Sequence, residues 1–174
     1  MRNVFILLTL FSFLASCTNG NKNRKDDPSD KNTRKQAVKV AEIFAKKQLP
    51  GAKRSVSETG IVVLSSNSIQ LLIDPSKIVS GKINNDSITD VIVPVYNFRN
   101  QALTMTEQLI LINEDGRLIL KGVSDKEMKI IAIKDGIIFA EISKVASDSP
   151  NFGCNLCKEI VKYRFTGDSL SKIK

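Results

Sequence analysis

Between Thr33 and Leu49 apolar positions recur every three or four residues: Ala37, Val40, Ala41, Phe44 and Ala45, with Gln48 closing the stripe. Residues at that spacing share one face of a helix, so the pattern predicts an amphipathic helix over 33–49. Thr33 and Gln36 have the spacing of a capping box, and Pro50-Gly51 stops the run. Arg34, Lys35, Lys39, Lys46 and Lys47 fall mainly off the apolar stripe. The helix is expected to pack on a sheet; lying free on a membrane is the other reading of its pattern. After Gly51 the period drops to two. "SVSETGIVVLSS", "SIQLLID", "TDVIVPVYNF", "EQLILIN", "RLILKG", "MKIIAIK", "GIIFAEIS" and "EIVKYRFTG" all read as strands. Asn113-Glu114-Asp115-Gly116, Lys134-Asp135-Gly136 and Gly167-Asp168 are hairpin signals, and strands joined by turns this short are antiparallel. The expected fold class is α+β: one N-terminal amphipathic helix packed on a mainly antiparallel meander sheet of about seven or eight strands. Asn97 to Thr106 shows no period. It reads as a loop and as the best candidate contact surface.

A different pattern precedes the helix. Arg2 is the one charge before Lys22, and Val4 to Leu14 is apolar except for Thr9 and Ser12. This is the layout of a secretory signal. A spanning helix takes about 20 apolar residues, so the run is too short to be a lasting anchor. It ends in Leu14-Ala15-Ser16-Cys17, and these residues resemble the lipobox of bacterial lipoproteins. The resemblance implies removal of residues 1–16 and acylation of Cys17 with palmitate-type chains, making the bilayer a partner of the chain. The plainer reading is a secretory signal with a cysteine at its cleavage point. Residue 18 is Thr, not Asp, which by the same resemblance favours the outer membrane over the inner, on the periplasmic face or the cell surface. Thr18 to Asn32 is polar and charged and cannot bury a core, so 17–32 reads as a flexible tether to a single domain at 33–174. Arg24 to Asp27, "RKDD", faintly resembles surface-export signals of some Bacteroidetes-like lipoproteins.

Charge adds one fact. From Lys22 to Arg54 there are 11 basic and 4 acidic residues; from Ser55 onward there are 14 of each. The positive excess therefore lies in the tether and helix, without interleaved stacking aromatics. Anionic lipid headgroups are a simpler partner for it than nucleic acid, and a solvated linker is the plain alternative.

Candidate chemistry is sparse. The chain has no His, which removes Ser-His-Asp and Cys-His nucleophile systems and His-based metal sites. No glycine-rich phosphate loop is present, and no cofactor or enzymatic activity is expected. Two motifs stand out. "GKINNDSITDVIVPVY", Gly81 to Tyr96, resembles the G-D-x-N-x-D-G-x-x-D-A-x-V segment of many exported bacterial proteins, including FG-GAP-like repeats and small lipoproteins. In its full form that segment can hold calcium. Asn84, Asp86 and Asp90 are kept here as weak candidate ligands. Lys82 replaces the first Asp with a cation and Ser87 replaces the turn glycine, so the segment reads as a structural turn whose Asn84 and Asp86 bond backbone amides. The second motif is "NFGCNLCKEIVKYRF". Cys154 and Cys157 alone cannot complete a tetrahedral zinc site. In an oxidising envelope a disulfide is the simplest reading, and free or redox-active thiols are the other. Together the motifs resemble one family of small exported bacterial proteins, over Ser80 to Ile173. That family brings no catalytic residues with it. The expected role is a binding or accessory module for an envelope protein or polymer. A purely structural lipoprotein and a His-free hydrolase using carboxylates such as Asp86 and Asp90 are the alternatives.

Overall fold

The computed structural model describes residues 28–84, 86–145, 154 and 157–173. Residues 1–27 lie outside the described residues, and with them the expected signal segment, Cys17, "RKDD" and the expected tether as far as Asp27. Helix α1 spans Pro28–Gln48. It begins before the expected Thr33, so Pro28 to Asn32 belong to the helix and not to the tether. The reason is local. Proline in the first turn lacks only a donor that has no helical partner anyway, and Asp30 complements the positive end of the helix dipole. Asp30 also accepts from Arg34 Nε at 3.1 Å, one turn on.

Eleven strands follow among the described residues, and every paired neighbour is antiparallel. They are β1 (Lys53–Val56), β2 (Val62–Ser66), β3 (Ile69–Ile73), β4 (Val79–Gly81), β5 (Asp90–Arg99), β6 (Ala102–Glu114), β7 (Arg117–Ser124), β8 (Lys129–Lys134), β9 (Ile137–Ser143), β10 (Lys158–Thr166) and β11 (Ser169–Lys172). The α+β class with a helix on antiparallel strands stands. The strands divide, however, into a seven-stranded sheet ordered β1-β2-β3-β5-β6-β7, with β4 also on β5, and a four-stranded sheet ordered β11-β10-β9-β8. The segment "SVSETGIVVLSS" breaks into β1 and β2 at Gly60, whose φ of 82° fits a turn and no strand.

The centre of the fold is β5. Its burial is continuous from Asp90 to Val95 because both faces are covered. Val91, Val93 and Val95 point to one core with Leu64, Leu71, Leu109, Leu111 and the helix residues Ala37, Ala41 and Ala45. Ile92 points the other way, to a second core with Ile110, Ile138, Ala140, Val161 and Tyr163. The layers are therefore helix, large sheet, small sheet. Each fully buried Val, Leu or Ile contributes about 1.5–3 kcal/mol, and β5 supplies such residues to both cores.

One edge of β5 is shared by two strands. Val95 to Arg99 pair with β3, and Asp90 to Ile92 pair with β4. The break between them lies beside Val93 and Pro94. Proline has no N–H to offer a neighbour, so the interruption falls where the missing donor costs least. The chain crosses the gap through a short 3-10 turn, Pro75–Lys77, in which Asp74 accepts from the Ser76 N–H at 2.8 Å.

The sheets close on each other at two glycines. A Cβ at Gly81 on β4 would lie 2.6 Å from the Ile133 carbonyl oxygen of β8, and one at Gly122 on β7 would lie 2.6 Å from that of Asp168. Asp115-Gly116 and Asp135-Gly136 form the expected two-residue turns with positive φ throughout. Asn97 to Thr106 is not a loop. It is the end of the β5–β6 hairpin, turning at Asn100-Gln101 with φ of 51° and 67°. A bulge places Thr104 between the pairs Asn97↔Met105 and Phe98↔Leu103, and the Thr104 hydroxyl donates to the Asn97 carbonyl at 3.0 Å.

Candidate functional site

Where the β5–β6 hairpin runs past the small sheet, it leaves an open cleft of about 1190 Å³. Ile92, Pro94 and Tyr96, alternate residues of β5, face it with Thr106 and Gln108 of β6. This face is the one that carries the second core, and among the described residues no strand is laid over its outer half. One wall is Ser76 to Val79 and the other is the chain from Asp125 to Ile131. Leu103 and Met105, on the projecting hairpin, form the mouth; they are 54% and 38% exposed.

Both walls are held by specific bonds. Buried Gln108 donates from Nε2 to the Met128 carbonyl at 3.0 Å. Lys126 donates to the Leu170 carbonyl at 2.6 Å and sits 5.1 Å from the centre of the Tyr163 ring. The Asp125–Met128 connection is thus tied to both sheets. Across the cleft, Arg34 of α1 donates to the carbonyls of Pro75 at 3.1 Å and Ile78 at 3.4 Å. This corrects the expectation that Arg34 lies off the packed face: its guanidinium reaches inward and steadies the wall. Its planar set of donors suits two carbonyls and a carboxylate at once.

The chemistry of the cleft is an apolar floor with charges of both signs at its edge: Lys77, Lys129 and Lys158 against Asp125, Glu127 and Glu141. Lys158 and Glu141 pair at 3.0 Å. Burial in the floor pushes the Tyr96 hydroxyl above its ordinary pKa, and the nearby Asp74 carboxylate adds to this. A raised pKa keeps the phenol neutral, so Tyr96 is a hydrogen-bonding group and not an anion at neutral pH.

The residues singled out from the sequence lie elsewhere. Asp90 is fully buried at the start of β5. Its Oδ2 accepts from the N–H groups of Ile83 at 2.8 Å and Asn84 at 3.4 Å, and its Oδ1 from that of Asn113 at 2.9 Å. Asp86 is exposed; it accepts from the Ile88 N–H at 2.8 Å and the Asn84 side-chain amide at 2.6 Å. These bonds make the segment a folded turn that fixes where β5 begins. Neither Asp86 nor Asp90 lines the cleft, so the geometry offers no catalytic pair there. Among the described residues no group of three or more His, Cys, Asp or Glu side chains is placed to hold a metal. Cys154 and Cys157 lie at disulfide distance, with Cα atoms 5.2 Å apart. The Cys157 N–H donates to the Cys154 carbonyl at 3.0 Å and the Lys144 N–H to the Cys157 carbonyl at 2.7 Å. The pair therefore tightens the chain just before Lys158, at one end of the cleft.

The cleft itself was not foreseen. Its lining comes from separate strands and connections, and the sequence points only to the hairpin part, Asn97 to Thr106, as a contact surface. Compared with family models, with curated proteins and with solved structures, the chain matches none. No helix among the described residues is long and apolar enough to cross a membrane.

Proposed function

We propose that this chain is a lipid-anchored bacterial envelope protein, attached through Cys17 at the outer membrane, whose β body is a binding module for an envelope protein. The observation that carries the binding reading is the cleft, with Ile92, Pro94 and Tyr96 on its floor and exposed Leu103, Met105 and Ile131 around it. Single exposed apolar residues are ordinary on any protein. Three around one concave, apolar floor supply the anchor points that a partner's side chains fill. The charged edge, balanced in sign, supports selection by complementarity more than by attraction at a distance. The anchor reading is supported by Leu14-Ala15-Ser16-Cys17 after an apolar run too short to span.

Two measurements test this. Labelling cells with a palmitate analogue should mark the native chain and not Cys17→Ser; label on both refutes the anchor. A photo-reactive residue at Leu103 or Met105 should cross-link to an envelope protein, while one at Ile160, 64% exposed on the small sheet, should not. Equal capture from all three positions, or from none, refutes the binding module.

A further inference from the structure

The outer face of α1 has a composition that the packing of the helix does not explain. Ala37, Ala41 and Ala45 are fully buried against the large sheet. Lys35, Lys39 and Ile43 each precede one of these alanines by two residues, and two residues turn a helix through about 200°. They therefore point straight away from the protein, and Lys46 joins them one turn on from Ile43. Ile43 is 49% exposed in the middle of this lysine face.

The neighbouring acids neutralise it only at Lys46. Asp30 is taken by Arg34. Glu42 is shared between Lys46 and Arg54, both at 2.8 Å. Residues 28–56 hold eight basic side chains and two acidic ones, whereas residues 57–174 hold fourteen of each. The charge of the folded body is thus gathered in its helix layer and the adjoining edge strand β1, and the sheets beyond carry none on balance.

We propose that this helix face docks flat on an anionic bilayer, with Lys35 and Lys39 at the headgroups and Ile43 inserted beside them. Charge complementarity argues for the occupant: the face is cationic along one line of a helix, the shape a planar anionic surface fits. The apolar residue at its centre is what an acyl boundary accepts and a phosphate polymer does not. The proposal takes its nearness to a bilayer from the lipid-anchor reading above. It adds an orientation. The layers stack as membrane, helix, large sheet, small sheet, so the cleft, on the far face of the large sheet, is turned away from the lipid and toward a partner.

The test uses the full acylated chain in vesicles of phosphatidylcholine alone and of phosphatidylcholine with phosphatidylglycerol, footprinted with an amine-reactive reagent and read by mass spectrometry. Lys35 and Lys39 should lose about five-fold or more of their labelling in the anionic vesicles only, and recover it at high salt. Lys162 and Lys172, on the small sheet, should label equally in both. Lys35→Glu with Lys39→Glu, both fully outside the packed face, should abolish the difference between the vesicles. Equal labelling of Lys35 in both vesicle types, protection of Lys162 to the same degree, or equal protection of Lys35 by duplex DNA overturns the proposal. Attachment to the neutral vesicles, lost in Cys17→Ser, reports the anchor separately. If the anchor fails, the dependence on phosphatidylglycerol still decides the helix face.

Discussion

Replacing Asp90 by Ala removes one buried side chain and strands three backbone donors. Two of its bonds are short, from Ile83 at 2.8 Å and Asn113 at 2.9 Å, and the third, from Asn84, is 3.4 Å. A hydrogen bond to a carboxylate contributes about 1.5–3 kcal/mol net, and the partner left behind in a buried site keeps its desolvation cost. Two such bonds set the loss at about 3–6 kcal/mol, at the upper end of what single substitutions cause. For a chain of this size that is a fall in Tm of roughly 6–24 °C. Asp90→Asn keeps one acceptor oxygen and turns an amide N–H₂ toward a backbone donor, so it should lose about half as much. The chain has no Trp, so urea unfolding is best followed by far-ultraviolet circular dichroism, where Asp90→Ala should lower the midpoint by at least about 1 M. Calcium or a chelator should leave the native midpoint unchanged, since the Asp90 oxygens already serve backbone amides. An Asp90→Ala loss below about 1 kcal/mol, or a clear rise in midpoint with calcium, refutes the structural account of this turn.

Gly81→Ala and Gly122→Ala should each cost about 1–3 kcal/mol or more, because the added Cβ meets backbone oxygen at 2.6 Å in both places; thermal melts within 1 °C of native would contradict the close approach. Gln101→Gly should raise stability by about 0.5–1 kcal/mol, since Gln101 is held at φ 67°, where an L side chain is disfavoured; a lower urea midpoint counts against the turn geometry. Burial alone would raise the Glu42 carboxyl, but the bonds from Lys46 and Arg54 outweigh it and hold its pKa below the ordinary 4.5. A carboxyl lowered in the folded state stabilises above its unfolded value and loses that contribution as pH falls through the folded one. Native protein should therefore lose up to about 1 kcal/mol more than Glu42→Gln between pH 5 and acid, a small amount because both partners are about half exposed. Parallel pH profiles for the two proteins would sink this assignment.

The period of the sequence located the helix and nearly every strand, because alternation and the three-to-four spacing report directly on which face is buried. It misplaced the helix start because Pro28 to Asn32 has the composition of a tether, and what fixes it is the Asp30–Arg34 pair and the reach of Arg34 to Pro75 and Ile78. The hairpin end at 97–106 was missed because Asn100-Gln101 is an unusual left-handed pair, and the Thr104 bulge breaks the alternation that marks a strand. The second sheet was hidden for a subtler reason. Each strand shows only its own two faces, and the partner layer is a matter of the whole chain's path. One signal was available: "DVIVPV" in β5 is apolar at successive positions, which a strand needs only when it is covered on both sides. The cleft leaves no such trace, since its lining is contributed by segments far apart in sequence.

The β5–β6 hairpin is a party wall between the two hydrophobic cores, and this bears on how the protein opens. Neither layer can come away without baring Ile92 and Ile110 on one side or Val93 and Leu109 on the other. Amide hydrogens of Val91 to Val95 (Pro94 aside) and Leu109 to Ile112 should therefore be released only by global unfolding, and exchange with deuterium last. The hairpin end that carries Leu103 and Met105 belongs to the same two strands, but among the described residues no second layer covers it. One continuous ribbon then holds both the slowest amides and, at its exposed end, amides that open sooner. The stiff half acts as the footing, and the free half can adjust to whatever it meets.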